Sequence, residues 1–378
     1  MAQERKKLRI VIVFFLFVVY FVIAARPIPR EVVLTPVWIS SPETEQLIPI
    51  NSMEQASPHM FPFTLGNRFG YVDSDGNFLI NKIKTGDIYL SKNQWTEYEA
   101  EPAILEIKNA YEETAITIEN PGGYPVLLDD RVFILGSEQN SLSEIDAGGS
   151  VLWTYDFAAP ITCIDAAAGL VLTGSLDGVM EIIDSNGKRI FFFEPGGSRY
   201  AVILGCAISR DGLLAGIVSG IENQRFLMFE RYNSMSSEYK VVHHEFMETS
   251  LRRPVHISFI DQDRRVVFEN AEGIGCYEIK FRQTMQIPLD GEIAVIDSSG
   301  DQGLFFLICS YPDDRKELIG VKFPQDSWIP FSGFGWDIQN KVFLKAPFKS
   351  ERFFLGRTGQ TLVAGGGTAL VSFELENK

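Results

Sequence analysis

Val132-Phe133-Ile134-Leu135-Gly136-Ser137 is answered 38 residues later by Leu170-Val171-Leu172-Thr173-Gly174-Ser175. A second matched pair follows: Glu144-Ile145-Asp146-Ala147-Gly148-Gly149 and Ile182-Ile183-Asp184-Ser185-Asn186-Gly187. Each unit therefore reads as strand, small-residue turn, strand, Asp-x-x-Gly turn, then an aromatic-rich strand. The last is Val151-Leu152-Trp153-Thr154-Tyr155 in one copy and Arg189-Ile190-Phe191-Phe192-Phe193 in the other. Short apolar or alternating runs bounded by Gly and Asp are strands. Self-similarity at a fixed period marks a repeat architecture.

The mark recurs in both directions. Upstream it stands as Tyr71-Val72-Asp73-Ser74-Asp75-Gly76, and in degenerate form as Ile104-Leu105-Glu106-Ile107-Lys108-Asn109. Downstream it stands as Leu227-Met228-Phe229-Glu230, Cys276-Tyr277-Glu278-Ile279, Leu318-Ile319-Gly320-Val321-Lys322 and Leu370-Val371-Ser372-Phe373-Glu374. The eight marks lie between residues 73 and 374, a mean spacing of 43. A four-stranded propeller blade takes about 40–50 residues, and rings hold roughly 4–8 blades. No stretch after Arg30 carries a sustained helical stripe. The spacing predicts an all-β fold, a seven- or eight-bladed β-propeller over residues 61–378. In this reading the unit Phe61 to Lys84 lacks its opening strand, and the last unit stops at Lys378 before an outer one. Residues Glu31 to Ile39 are the expected filler, clasping the ring from the other end of the chain. Pro36 suits such an edge position.

The N-terminus has a different character. Arg5, Lys6, Lys7 and Arg9 precede sixteen uncharged residues, Ile10 to Ala25, and Arg26-Pro27 ends the run. A basic start stays on the cytoplasmic side and sends the rest across. Residues 1–26 thus read as a cytoplasmic start and one N-terminal transmembrane helix, a signal-anchor, and residues 27–60 as a linker carrying the closing strand. Sixteen residues rise about 24 Å as a helix, short of an approximately 30 Å hydrocarbon core, and Leu8 with snorkelling arginines extends the reach. The run is rich in Phe and Ile and has no clean Ala-x-Ala, which favours an anchor. Val22 and Ala24 mark the alternative, a chain secreted after signal cleavage. The expected location is the cell membrane, single-pass, with the propeller on the extracytoplasmic side.

Residues 1–26 hold five of the 34 basic and one of the 49 acidic side chains, so the remainder carries 29 and 48, a net of −19. That balance argues against nucleic acid as a partner and against charge-driven binding to anionic lipid. Cys163, Cys206, Cys276 and Cys309 stand far apart in apolar stretches with no CxxC pair. They point to neither zinc nor thioredoxin-like chemistry and read as small buried apolar residues.

Chemistry-bearing motifs are scarce. His243-His244-Glu245, with His256 beyond, is the best metal-like cluster, but adjacent strand residues face opposite ways. Asp73-Ser74-Asp75-Gly76-Asn77 resembles a calcium loop until its twelfth position, which is Lys84 and not Glu. It reads as a turn. Gly216-Ile217-Val218-Ser219-Gly220 places its serine one position late for a nucleophile elbow. Gly365-Gly366-Gly367 lacks the Lys of a phosphate loop. We therefore assign no catalytic, cofactor-binding or metal residues. One segment stands apart: Trp328, Phe331, Phe334 and Trp336 crowd a Gly-rich, turn-prone stretch, a candidate partner-binding loop.

From Ile145 to Trp153 the sequence resembles the quinoprotein-like (PQQ-type) propeller repeat, whose blades close on an Asp-Ala-x-Thr-Gly-x-x-x-Trp pattern. Asp184 to Phe191 is a weaker copy with Phe at the Trp position, and WD-type repeats are the runner-up. The resemblance implies a Trp packed between blades. Dehydrogenases of that family are longer, hold a quinone with calcium and carry vicinal cysteines, which this chain lacks. Non-catalytic relatives of similar length include the propeller of the outer-membrane protein assembly machinery, which binds partner proteins. The expectation is a non-enzymatic, membrane-tethered interaction platform in the cell envelope, with an envelope protein as partner and no cofactor. The competing reading is an exported enzyme or small-ligand sensor using the central channel.

Overall fold

The computed structural model describes residues 13–17, 20, 32–44, 59–100, 102–233, 238–297, 299, 303–323 and 342–377. Two compact units divide the chain, Pro36–Glu374 and a smaller one of Met1–Thr35 with Leu375–Lys378. In the smaller unit the described residues are helical at 13–17 and 20, and extended in the ends of two strands. Among the described residues no helix is long and apolar enough to cross a membrane. The rest of the expected 1–26 anchor, and residues 27–31 and 45–58 of the expected linker, lie outside the described residues.

The larger unit is a propeller of eight sheets, which decides between the seven and eight blades expected. After β1 (Val32–Ser40), blade 1 holds β2 (Met60–Leu65), β3 (Arg68–Asp73) and β4 (Phe78–Ile83). Blade 2 holds β5 (Asp87–Leu90), β6 (Gln94–Tyr98), β7 (Ile104–Asn109) and β8 (Thr114–Glu119). Blade 3 holds β9 (Gly123–Leu128), β10 (Arg131–Gly136), β11 (Ser141–Ile145) and β12 (Val151–Asp156). Blade 4 holds β13 (Ile161–Ala167), β14 (Leu170–Ser175), β15 (Met180–Ile183) and β16 (Arg189–Phe193). Blade 5 holds β17 (Ile203–Ile208), β18 (Leu214–Ser219), β19 (Arg225–Arg231) and β20 (Tyr239–Phe246). Blade 6 holds β21 (Ile257–Ile260), β22 (Arg265–Asn270), β23 (Gly273–Glu278) and β24 (Gln283–Pro288). Blade 7 holds β25 (Glu292–Ile296), β26 (Leu304–Ser310), β27 (Arg315–Lys322) and β28 (Val342–Lys349). Blade 8 holds β29 (Phe353–Thr358), β30 (Thr361–Gly366) and β31 (Ala369–Asn377), with β1 as its outer strand beside β31.

All eight marks fall on the third strand of a complete blade or on its counterpart: β3, β7, β11, β15, β19, β23, β27 and β31. The cause is visible where the mark is sharpest. Asp146 Oδ1 accepts hydrogen bonds from the Gly148 and Ser150 amides, both at 2.8 Å. Asp184 repeats this with Asn186 and Lys188, and Asp73 with Asp75 and Asn77, all within 2.9–3.0 Å. A short carboxylate that caps its own turn fixes the chain reversal locally. Gly187 then adopts φ +75° and lies so close to Trp153 of the preceding blade that an added Cβ would come within 2.7 Å of the ring.

The same contact closes the ring. Gly76 has φ +89°, and a Cβ there would sit 2.8 Å from Trp38 of β1. Trp38 Nε1 donates to the Ser74 carbonyl (2.8 Å), and Ser40 Oγ to the Gly76 carbonyl (2.9 Å). The turn after β3 thus meets β1 as the turn after β15 meets β12. By that correspondence β3 is a third strand, and blade 1 has no opening strand among the described residues.

Apolar clusters lie between neighbouring blades, with both faces of each sheet covered. Phe61, Phe63 and Leu65 of blade 1 pack with Val363 and Leu370 of blade 8. Phe193 meets Phe229 across blades 4 and 5 (4.9 Å), and Phe226 stacks on Phe268 across blades 5 and 6 (4.1 Å). Each fully buried side chain of this size contributes about 1.5–3 kcal/mol. Blades 7 and 8 share a buried polar link in which Arg357 Nη1 donates to the Leu304 carbonyl (2.8 Å) and faces Asp297 at 4.0 Å.

Trp38 and Gly76 are therefore the test of closure. Trp38→Ala should destabilise the protein by about 2–4 kcal/mol in urea titrations, through lost packing and the lost indole bond. Gly76→Ala should cost about 1–3 kcal/mol, from the positive φ and the clash with the ring. Midpoints unchanged in both variants would show that this junction carries no stability.

Candidate functional site

Two places in the propeller bring chemically distinct side chains together. The first is an inner cavity of about 280 Å³ where the first strands of blades 4 to 7 converge. Ile164, Asp165, Cys206, His256, Ile257, Ser258 and Ile296 line it. Asp165 Oδ2 accepts from the Ile208 amide of the next blade (2.8 Å), and Oδ1 from Ala166 (2.9 Å). Burial pushes its carboxyl up to about 6, the two amides pulling it down and nearby Asp129 adding to the rise. Cys206 Sγ donates to the Leu172 carbonyl of blade 4 (3.8 Å), and burial, with Cys163 beside it, pushes its thiol well up. Cys206, Cys276 and Cys309 are buried, Cys163 is half-buried and all four are free thiols.

The second place is a rim on blades 4 and 5, built from the connections that follow second and fourth strands. Segment 194–202 leads from blade 4 to blade 5, 220–224 joins β18 to β19, and 247–256 leads to blade 6. Gln224, fully buried, ties them: its Nε2 donates to the carbonyls of Gly220 and Leu251, both at 3.0 Å, and its Oε1 accepts from the Leu251 amide at 3.1 Å. The Ile221 amide donates to the Tyr200 carbonyl (3.2 Å). Arg225 Nη2 donates to the Pro195 carbonyl (2.6 Å). Held this way, Leu176, Tyr200 and Phe246 stay 55%, 49% and 58% exposed. Apolar and aromatic surface of this kind, next to arginine, is the composition of protein-binding patches.

Trp328, Phe331, Phe334 and Trp336 lie outside the described residues, in the segment joining β27 to β28. His243 and His244 do face opposite ways: His243 packs on Tyr277 (4.4 Å) and His244 on Phe246 (4.7 Å). Among the described residues no cluster of three or more His, Cys, Asp or Glu is placed to hold a metal ion. Sequence reasoning missed Asp165, the Cys163–Cys206 contact and the rim. Only the exposed aromatic at Tyr200, in a Gly-Gly-Ser-Arg-Tyr loop, carried a local signal.

Asp165 predicts a pH dependence. Its folded carboxyl lies above the ordinary 3.8, so the folded chain holds an extra proton between those values. The associated stability is full below the lower value and is lost as pH rises through about 6. Asp165→Asn should flatten that part of the profile, narrowing the difference between urea midpoints at about pH 4.5 and about pH 7.5. An unchanged difference would remove Asp165 as its source.

A family model described as a beta-propeller protein matches residues 1–361. An uncharacterized protein of Treponema pallidum (strain Nichols) is 28% identical over 283 residues, 73% of this chain and 74% of that one. Among solved structures, BamB from Moraxella catarrhalis gives a TM-score of 0.55 at 11% identity, covering 90% of this chain and 100% of that chain. The computationally designed Ika8 protein gives 0.56 at 11% identity, covering 85% and 98%. At such identities the likeness is one of fold. With eight sheets in one ring and the family match running through nearly the whole sequence, the chain belongs to the beta-propeller protein family.

Proposed function

We propose that this propeller is a non-enzymatic protein-interaction platform of the cell envelope, tethered to the membrane by residues 1–26 with the ring on the extracytoplasmic side. The observation that carries the interaction role is the rim of blades 4 and 5. There, three loops are locked by Gln224 and Arg225 while Leu176, Tyr200 and Phe246 remain in solvent. A rigid scaffold presenting exposed apolar groups loses little entropy on docking. The tether rests on the basic start and the sixteen uncharged residues after it. Confinement near a bilayer raises the effective concentration of other membrane-associated proteins. The quinoprotein-like repeat type rests on the Asp146–Trp153 pattern, with Trp153 packed in the cluster that joins blades 3 and 4.

The inner cavity favours a second reading, a small-ligand sensor. Asp165, Cys206 and His256 line it beside apolar Ile164, Ile257 and Ile296.

Photo-crosslinking in intact cells tests the platform. A benzophenone side chain at position 200 or 246 should give a discrete protein adduct, and one at exposed Tyr111 should not. Adducts of equal yield at all three positions, or none at 200 and 246, would count against it.

A further inference from the structure

Arg225 opens the third strand of blade 5 and is only 8% exposed. A desolvated guanidinium ordinarily has a carboxylate beside it, because the bare charge is costly to bury. Arg225 has none among the described residues. Nη2 donates to the Pro195 carbonyl, Nη1 lies 3.5 Å from His244 Nε2, and Nε is buried without a hydrogen-bond partner. Burial is the cause that pushes its pKa down, with no neighbouring acid holding it up. Other buried arginines differ: Arg265 pairs with Asp261 and Glu278, and Arg357 faces Asp297 at 4.0 Å.

The surroundings give this cation an approach. Gly197 lies against the guanidinium, where a Cβ would come 3.1 Å from Nη2, and a Cβ at Gly196 would meet nothing within 4 Å. The exposed ring of Phe246 lies 5.7 Å from the guanidinium carbon and forms one wall. Tyr200 and Leu176 extend the apolar surface along the rim, where Gly178 of the Leu176 turn closes on Ala201. The same loops also carry exposed Glu194, Glu222 and Glu248, none paired with Arg225, and exposed Arg199 and Arg252. These loop charges nearly balance, so the rim has no cationic excess to hold a run of acidic residues and the buried Arg225 is left to be met. The fitting occupant is one carboxylate with apolar neighbours.

We infer that Arg225, with Gly197, His244 and Phe246, forms a docking site for a single Asp or Glu side chain flanked by apolar residues on a partner protein. The site rests on the platform reading and gives that platform its specificity. The incoming carboxylate takes the guanidinium edge, and its apolar flank lies on Phe246 and Tyr200.

The probe is acetyl-Leu-Asp-Phe-amide, titrated into the full chain with the His244 ring signals followed by NMR. Three comparisons accompany it: the Asn analogue, the Asn analogue with a free C-terminal carboxylate, and the Asp peptide on Arg225→Gln. The Asp peptide should bind and raise the His244 pKa, because a new anion offsets the cation beside it. The Asn amide should bind about tenfold more weakly, as should the Asp peptide to Arg225→Gln, with Arg225→Lys intermediate. Equal binding of the Asp and Asn amides, no binding of either, or indifference to Arg225→Gln would overturn the site. Preference for the free C-terminus would overturn it as a side-chain site. The Asp–Asn comparison is made on the unaltered chain, so it stands even if a variant folds poorly. Loss of this site with adducts retained at positions 200 and 246 would leave the platform standing, whereas loss of the adducts bears on the platform itself.

Discussion

A ring of sheets is stable only if its first and last members meet, and here that depends on a strand from the N-terminal side completing blade 8. β1 lies beside β31, and Trp38 and Ser40 reach across to the turn after β3. Without that strand, blade 8 would end on the free edge of β31, and the cluster of Phe61, Phe63 and Leu65 with Val363 and Leu370 would lose Trp38 from its border. Free edges and exposed apolar faces both favour aggregation. The rim and the cavity are built from blades 4 to 7, whose mutual packing the closed ring holds in register. Closure comes first, and the sites inherit their geometry from it.

The fold was readable because its repeat is enforced by local chemistry. Asp146, Asp184 and Asp73 each cap their own turn through the same two amide bonds, so the mark survives wherever that turn survives. At Ile104–Asn109 an amide replaces the carboxylate, Asn109 Oδ1 accepting from Tyr111 (2.8 Å) and Glu113 (3.0 Å), whereas at Leu227–Glu230 only strand rhythm persists, yet both segments fall on third strands. Seven and eight blades were hard to separate from spacing, because the long connection between β27 and β28 stretches one period.

The candidate sites were much less legible. Arg225 is conspicuous for having no carboxylate beside it among the described residues, and that is a property of three-dimensional surroundings. Gln224 looks like any polar residue after a turn until its bonds to Gly220 and Leu251 are seen. Asp165 sits in Thr-Cys-Ile-Asp, an unremarkable strand, and its raised carboxyl comes from burial that strands of other blades create. Trp328–Trp336, outside the described residues, stands out for the opposite reason, since its composition is unusual in one dimension. Local composition finds loops rich in aromatics, whereas the rim spreads its few aromatics over connections far apart in sequence.

Ring closure depends on the clasp, and native-state hydrogen–deuterium exchange on the full chain measures it. Segments 36–41, 68–84 and 361–374 would be followed together in rising denaturant. If β1 completes the ring, the three segments should lose protection in one cooperative step. Free exchange in 36–41 while the other two stay protected would contradict it.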